Sequence, residues 1–150
     1  MRKINAIFLT IILLISNNGI ANAEIGAKNA VVTAPIPGML NTAGYVTLMN
    51  QSDSDITLTS ADSIIADKVE FHDHIMTHGV MKMVKLEQIV VPANGSLIFQ
   101  SGGLHIMFLG VSKHAAHQEK TEVTLYAASG EKYKVSFNIK SIKQQHHHHH

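Results

Sequence analysis

The sequence predicts an all-β protein, an antiparallel sandwich or barrel in a single domain, on three observations. Short runs rich in Val, Ile, Thr, Phe and Tyr, broken by Gly, Pro, Asn, Asp and Ser, recur from residue 30 onward. No apolar period of 3.6 is sustained over a dozen residues beyond the first 23. The length of 150 residues, 45% hydrophobic and 15% charged, suits one ordinary domain and is too apolar for a disordered chain.

Residues 1–23 read as a secretory signal peptide. Basic Arg2 and Lys3 precede an apolar run from Ala6 to Ile15, and a more polar stretch ends in Ala21-Asn22-Ala23, which places cleavage before Glu24. That run is about half of the roughly 20 residues needed to span a bilayer, so the expectation is export and not anchoring. A mature protein that does not span a membrane, in a periplasm, follows.

Residues 24–143 form the predicted β domain. Its candidate strands are Ala30–Thr33, Gly44–Met49, Asp55–Thr59, Lys68–His74, Met81–Val91, Ser96–Gln100, Leu104–Val111, Glu122–Ala128 and Lys132–Ile139. Val123, Leu125 and Ala127 alternate with polar neighbours, as do Tyr133, Val135, Phe137 and Ile139 after Ser129-Gly130. This predicts a hairpin with one buried face. Pro35-Ile36-Pro37-Gly38 cannot lie in a central ladder and reads as a connecting loop. Residues 144–150 are a histidine-rich tail, ending in His146 to His150, that suits either an expression tag or a native metal-collecting segment.

Composition excludes several functions. With no cysteine there is no disulfide framework, thiolate nucleophile, four-cysteine zinc site or blue-copper centre. Once Arg2 and Lys3 leave with the signal peptide, acidic and basic residues nearly balance, which argues against nucleic acid as a partner. No Ser-His-Asp grouping or HExxH motif is apparent, so catalysis is not expected.

Chemistry concentrates in two places. His72, His74, His78, Met76, Met81 and Met83 fall within residues 72–83, and His105 and Met107 follow Gly102-Gly103-Leu104. Strand alternation puts His72 and His74 on one face, Met81 and Met83 on one face of the next strand, and His105 and Met107 on one face of a third. Imidazole is a poor core residue without partners, and thioether sulfur is soft and uncharged. Imidazoles and thioethers brought together favour monovalent copper over zinc, magnesium or calcium.

The spacing His72, ten residues, Met83, twenty-one residues, His105, one residue, Met107 resembles the motif of the periplasmic PCuAC copper chaperones. The resemblance extends to Ala43-Gly44-Tyr45-Val46-Thr47-Leu48-Met49-Asn50 and to Gly79-Val80-Met81-Lys82-Met83. It implies a cupredoxin-like β-sandwich and a Cu(I) site made by His72, Met83, His105 and Met107. It also implies delivery of copper to a respiratory oxidase copper centre, through an oxidase subunit or an assembly factor as transient partner. Ser101 stands where the family often has Pro, and His74 and His78 add imidazoles to the motif.

Other readings stand beside these. His74 can be a ligand, a partner of a ligand or a solvated residue; Met81 can exchange with Met83 or simply pack; Met39 and Met49 read as structural. His114 and His117 fit a helical turn in a solvated loop, and additional histidines could take Cu(II). A copper buffer or resistance protein uses the same ligands as a carrier, and a metal-free interaction module is the more distant alternative.

Overall fold

The computed structural model describes residues 25–36 and 38–140. The predicted signal peptide, the histidine tail and Pro37 lie outside the described residues. Within them run β1 (Ile25–Thr33), β2 (Asn41–Asn50), β3 (Ile56–Ser63), β4 (Lys68–Thr77), β5 (Val80–Leu86), β6 (Ile89–Val91), β7 (Ser96–Phe99), β8 (His105–Leu109), β9 (Lys120–Ala127) and β10 (Lys132–Lys140). A short 3-10 turn covers Lys113–His117 and carries both His114 and His117. No helix among the described residues is long and apolar enough to cross a membrane.

The strands hydrogen-bond in the order β5-β4-β8-β2-β1-β10-β9-β3-β6, with β7 also on β2. A bridge between Ala61 and Val69 joins β3 to β4, so the sheet curls round one core as a flattened sandwich. Pairing is antiparallel except between β1 and β10, which run parallel from Val31 opposite Asn138 to Thr33 opposite Lys140. Parallel neighbours require a long connection, and here nearly the whole chain separates them.

The core follows from strand alternation. Val123, Leu125 and Ala127 of β9 and Tyr133, Val135 and Phe137 of β10 point inward, with Val123 opposite Val135 and Leu125 opposite Tyr133. Val46 and Leu48 of β2, Phe71 of β4, and Ile106 and Phe108 of β8 complete the buried cluster nearest the candidate site. Gly44 belongs to the same inward row because a side chain there has no room: an added Cβ would lie 2.7 Å from the Phe108 ring and 3.4 Å from the Val31 carbonyl.

Two strands differ from the sequence reading. The run Met81–Val91 is not one strand: β5 pairs with β4 and β6 pairs with β3, the chain bending at the exposed Glu87-Gln88. The first strand begins earlier than Ala30, pairing with β2 from Ile25, and Asn29 with φ 54° interrupts it where the register shifts between Lys28 and Val31. This bulge breaks the alternation on which the sequence reading depends.

The β4–β5 hairpin positions the candidate site. β8 pairs with β4 only from Lys68 to His72, and from Asp73 to Thr77 β4 pairs with β5 alone, so the hairpin end overhangs. Its two-residue loop has positive φ at both His78 (51°) and Gly79 (77°), the signature of a type I′ turn. Residues directly opposite across a ladder share a face. The inward Phe71 and Ile106 are partners, so the intervening His72 and His105, also partners, share the outer face.

Candidate metal centre

Register places all four predicted ligands on one outer face of adjacent strands. His72 lies opposite His105, Glu70 opposite Met107, and His74 opposite Met83. Alternation along β4, β5 and β8 therefore puts Glu70, His72, His74, Met83, His105 and Met107 on the same side of the sheet, turned away from the hydrophobic core. His105 is nevertheless only 4% exposed, because neighbouring side chains of that outer layer cover it.

His105 is held through one ring nitrogen and presents the other to a sulfur. Its Nδ1 lies 2.8 Å from the Gly103 carbonyl oxygen, which can only accept, so Nδ1 carries the proton. In the neutral ring Nε2 then bears a lone pair, and it lies 3.2 Å from the Met83 sulfur. Two lone-pair donors thus face each other. A tetrahedral ion with metal–nitrogen and metal–sulfur distances of about 2.0 and 2.3 Å sets such donors roughly 3.5 Å apart. The observed separation is close to that span.

His72 has the complementary arrangement. Its Nε2 donates to Glu70 Oε2 at 2.8 Å, and the Lys85 ammonium lies 3.5 Å from the other Glu70 oxygen. The hydrogen bond from His72, helped by Lys85 and opposed by partial burial, holds the Glu70 carboxyl below its usual range. His72 Nδ1 is buried and has no hydrogen-bond partner. A buried nitrogen without a partner is costly unless something binds it. The ring centroid is 5.8 Å from that of His105.

Other residues sit around this pair. The His74 ring stacks on His105 at 5.1 Å and 27°, with its Nδ1 3.4 Å from the Gly103 carbonyl. Met107 is one alternation along β8 from His105 and partly buried, and Met83 is 48% exposed. Met81 lies further along the hairpin opposite Met76. His114 and His117 are exposed, on the short 3-10 turn and not in this outer layer.

Sequence reasoning did not single out Glu70 or the Gly103 carbonyl. The signal for Glu70 was present, since it precedes His72 by one strand period and must share its face. The Gly103 carbonyl carries no side-chain signal: it reaches His105 and His74 through a turn in which Gly102 has φ 80°.

The donor set fits a soft ion. Among the described residues no three His, Cys, Asp or Glu side chains group to hold a metal, and the donor set facing His105 Nε2 includes the Met83 sulfur. Metal-binding histidines commonly donate their second N–H to a carboxylate or a backbone carbonyl, and His72 and His105 each do one of these.

Residues 25–139 match the family described as LpqE-like. No functionally curated protein matches the chain in sequence. In structure it is similar to the copper-bound PCuAC domain from PmoF2, at 19% identity and TM-score 0.65, covering 79% of this chain and 93% of that one. It is also similar to CuI-DR1885 from Deinococcus radiodurans, at 33% identity and TM-score 0.56, covering 77% and 76% respectively. Apo-DR1885 aligns over 94% of this chain and 95% of its own at 24% identity, with TM-score 0.59. The chain belongs to the LpqE-like family, and its β-sandwich is that of the PCuAC copper proteins.

Proposed function

We propose that this protein is a Cu(I) carrier, with His72, Met83, His105 and Met107 as ligands, and that its role is transport and transfer, not catalysis. The observation that carries the reading is His105, its Nδ1 proton committed to the Gly103 carbonyl and its Nε2 facing the Met83 sulfur at 3.2 Å. The likeness to CuI-DR1885, whose name records bound Cu(I), supports it.

Imidazole and thioether are neutral, so the ion keeps its charge and is held without a thiolate's electrostatic grip. Met83 is half-exposed while His105 is buried, which suits a partner displacing sulfur first and nitrogen last. Glu70 and the Gly103 carbonyl keep one lone pair free on each imidazole, which supports both rings as neutral nitrogen donors.

The wider setting is part of the same proposal. Residues 1–23 direct export to a periplasm, residues 24–143 form the carrier domain, and His146 to His150, with other exposed histidines, take Cu(II). The recipient, by family resemblance, is a respiratory oxidase copper centre reached directly or through an assembly factor.

The test is an anaerobic Cu(I) titration against a chromophoric chelator, with His72→Ala, Met83→Leu, His105→Ala and Met107→Leu made singly in the full chain. Each should weaken the tightest site while the tail contribution stays constant. Unaltered affinity in all four variants would overturn the assignment. Incubation of the loaded protein with an apo oxidase copper domain then separates a carrier, which transfers its ion, from a buffer, which does not.

A further inference from the structure

The outer face of the β4–β5 hairpin continues past the proposed site. After the His74–Met83 pair, the next pair on the same face is Met76 opposite Met81. Directly opposed residues of an antiparallel pair have Cβ atoms about 5 Å apart, within reach of two flexible thioethers converging on one ion. Met76 is 65% exposed and Met81 57% exposed, in the overhanging part of the hairpin where β8 no longer pairs with β4.

Packing does not account for these two side chains. Both belong to the face opposite the core, neither is buried, and the adjoining Ile75 and Val80 are exposed as well. Between them and the inner site stands His74, whose ring stacks on His105 and whose ladder partner is Met83. The order along the face is thus two exposed sulfurs, an imidazole with a sulfur beside it, and then His105.

We infer that Met76 and Met81, with His74 behind them, form a second, outer Cu(I) station. It rests on the reading of the inner site as a Cu(I) site, and it supplies the ion's way in and out. Soft, neutral thioethers select the same ion as the inner site. Fewer nitrogens and greater exposure make the outer station the weaker of the two. An ion moving between stations exchanges neutral ligands one at a time, so no proton or electron need be transferred.

The experiment is methyl NMR of full-length protein labelled with 13C at the methionine methyls, titrated anaerobically with Cu(I). The first equivalent should shift Met83 and Met107, and further Cu(I) should shift Met76 and Met81. In Met76→Leu/Met81→Leu, which keeps the apolar volume, the Met83 and Met107 shifts at the first equivalent should persist. The outer station is overturned if Met76 and Met81 stay unmoved beyond the first equivalent. It is equally overturned if they shift together with Met83, which would place them in the inner site. Failure of Met83 and Met107 to respond would instead refute the inner site.

Discussion

His105 and Met83, 22 positions apart in sequence, meet with Nε2 3.2 Å from the sulfur on the outer face of the sheet. The contact depends on two strand pairings: β8 beside β4, which sets His105 opposite His72, and β4 beside β5, which brings Met83 opposite His74. Neither residue helps build the apolar core. Met83→Leu is therefore expected to remove the sulfur at little structural cost, under about 1.5 kcal/mol for a volume-conserving exchange. Cu(I) affinity should fall at least about 100-fold, more than is lost with an orienting partner. Chelator competition and urea unfolding of the same variant read the two effects separately.

Glu70 fixes the ring of His72 from outside the ligand set. With its carboxylate accepting from Nε2, the free lone pair of the neutral ring lies on the buried Nδ1. Removing an orienting partner of this kind typically costs 10–100-fold in metal affinity. Glu70→Leu is expected to show such a loss, whereas Glu70→Gln, which keeps an acceptor oxygen, should retain most of the binding. Nitrogen-15 spectra of the imidazoles should report a changed tautomer at His72 in the Leu variant. Equal losses in both variants with an unchanged tautomer would contradict the orienting role.

Two pH dependences are expected. Copper competes with protons for imidazole, so Cu(I) affinity should decline on acidification, while thioethers do not titrate. Affinity that stays flat from about pH 7 to 5 would exclude histidine ligation. Glu70 acts lower. Its folded-state carboxyl is held below the ordinary value of 4.5, so its contribution to stability is fully present above that value and is lost as pH falls through the lowered one. The stability difference between wild type and Glu70→Gln, from urea unfolding, should shrink as pH falls below about 4.5.

Much of this was legible in the sequence because strand alternation fixes faces without knowledge of contacts. His72 and His74, Met81 and Met83, and His105 and Met107 each share a face as the period of two requires, and the β9–β10 hairpin buries the predicted row except Ile139, which is partly buried at the strand end. Strand order was not legible. Nothing local shows that β8 lies against β4, or that β1 and β10 pair in parallel, because such pairings are set by long-range packing. The division of Met81–Val91 was hidden for a related reason: its two halves are both apolar-rich yet join different neighbours. Glu70 was overlooked because one carboxylate on a strand resembles any other solvated residue until its partner is in place.

Gly44 marks where the core tolerates no side chain. An added methyl would lie 2.7 Å from the Phe108 ring, so Gly44→Ala must displace that ring or the strand. The expected cost is about 1–3 kcal/mol, as for overpacked cores. Phe108 is inward on β8 between the outward Met107 and Leu109, so Cu(I) affinity should fall as well if the strand moves. Urea unfolding and chelator competition on Gly44→Ala should show both changes in the same direction.

Asn50 offers the opposite case, a buried polar residue remote from the site. Its Nδ2 donates to the Ser54 and Val91 carbonyls at 2.7 and 3.1 Å, and its Oδ1 accepts from the Ser52 amide and hydroxyl at 2.9 and 2.8 Å. These bonds tie the end of β2 to the following turn and to β6. Asn50→Leu would leave buried partners unpaired, at about 1–3 kcal/mol for each group that water cannot reach. Asn50→Asp should be no better, since a carboxylate cannot donate to either carbonyl. Ala43, the β2 residue opposite Met107, lies seven residues away along the strand, so Cu(I) affinity should stay within about twofold of wild type while stability falls. A large loss of copper binding in a still-folded Asn50 variant would mean that the candidate site depends on the far end of β2, contrary to the local support described for it.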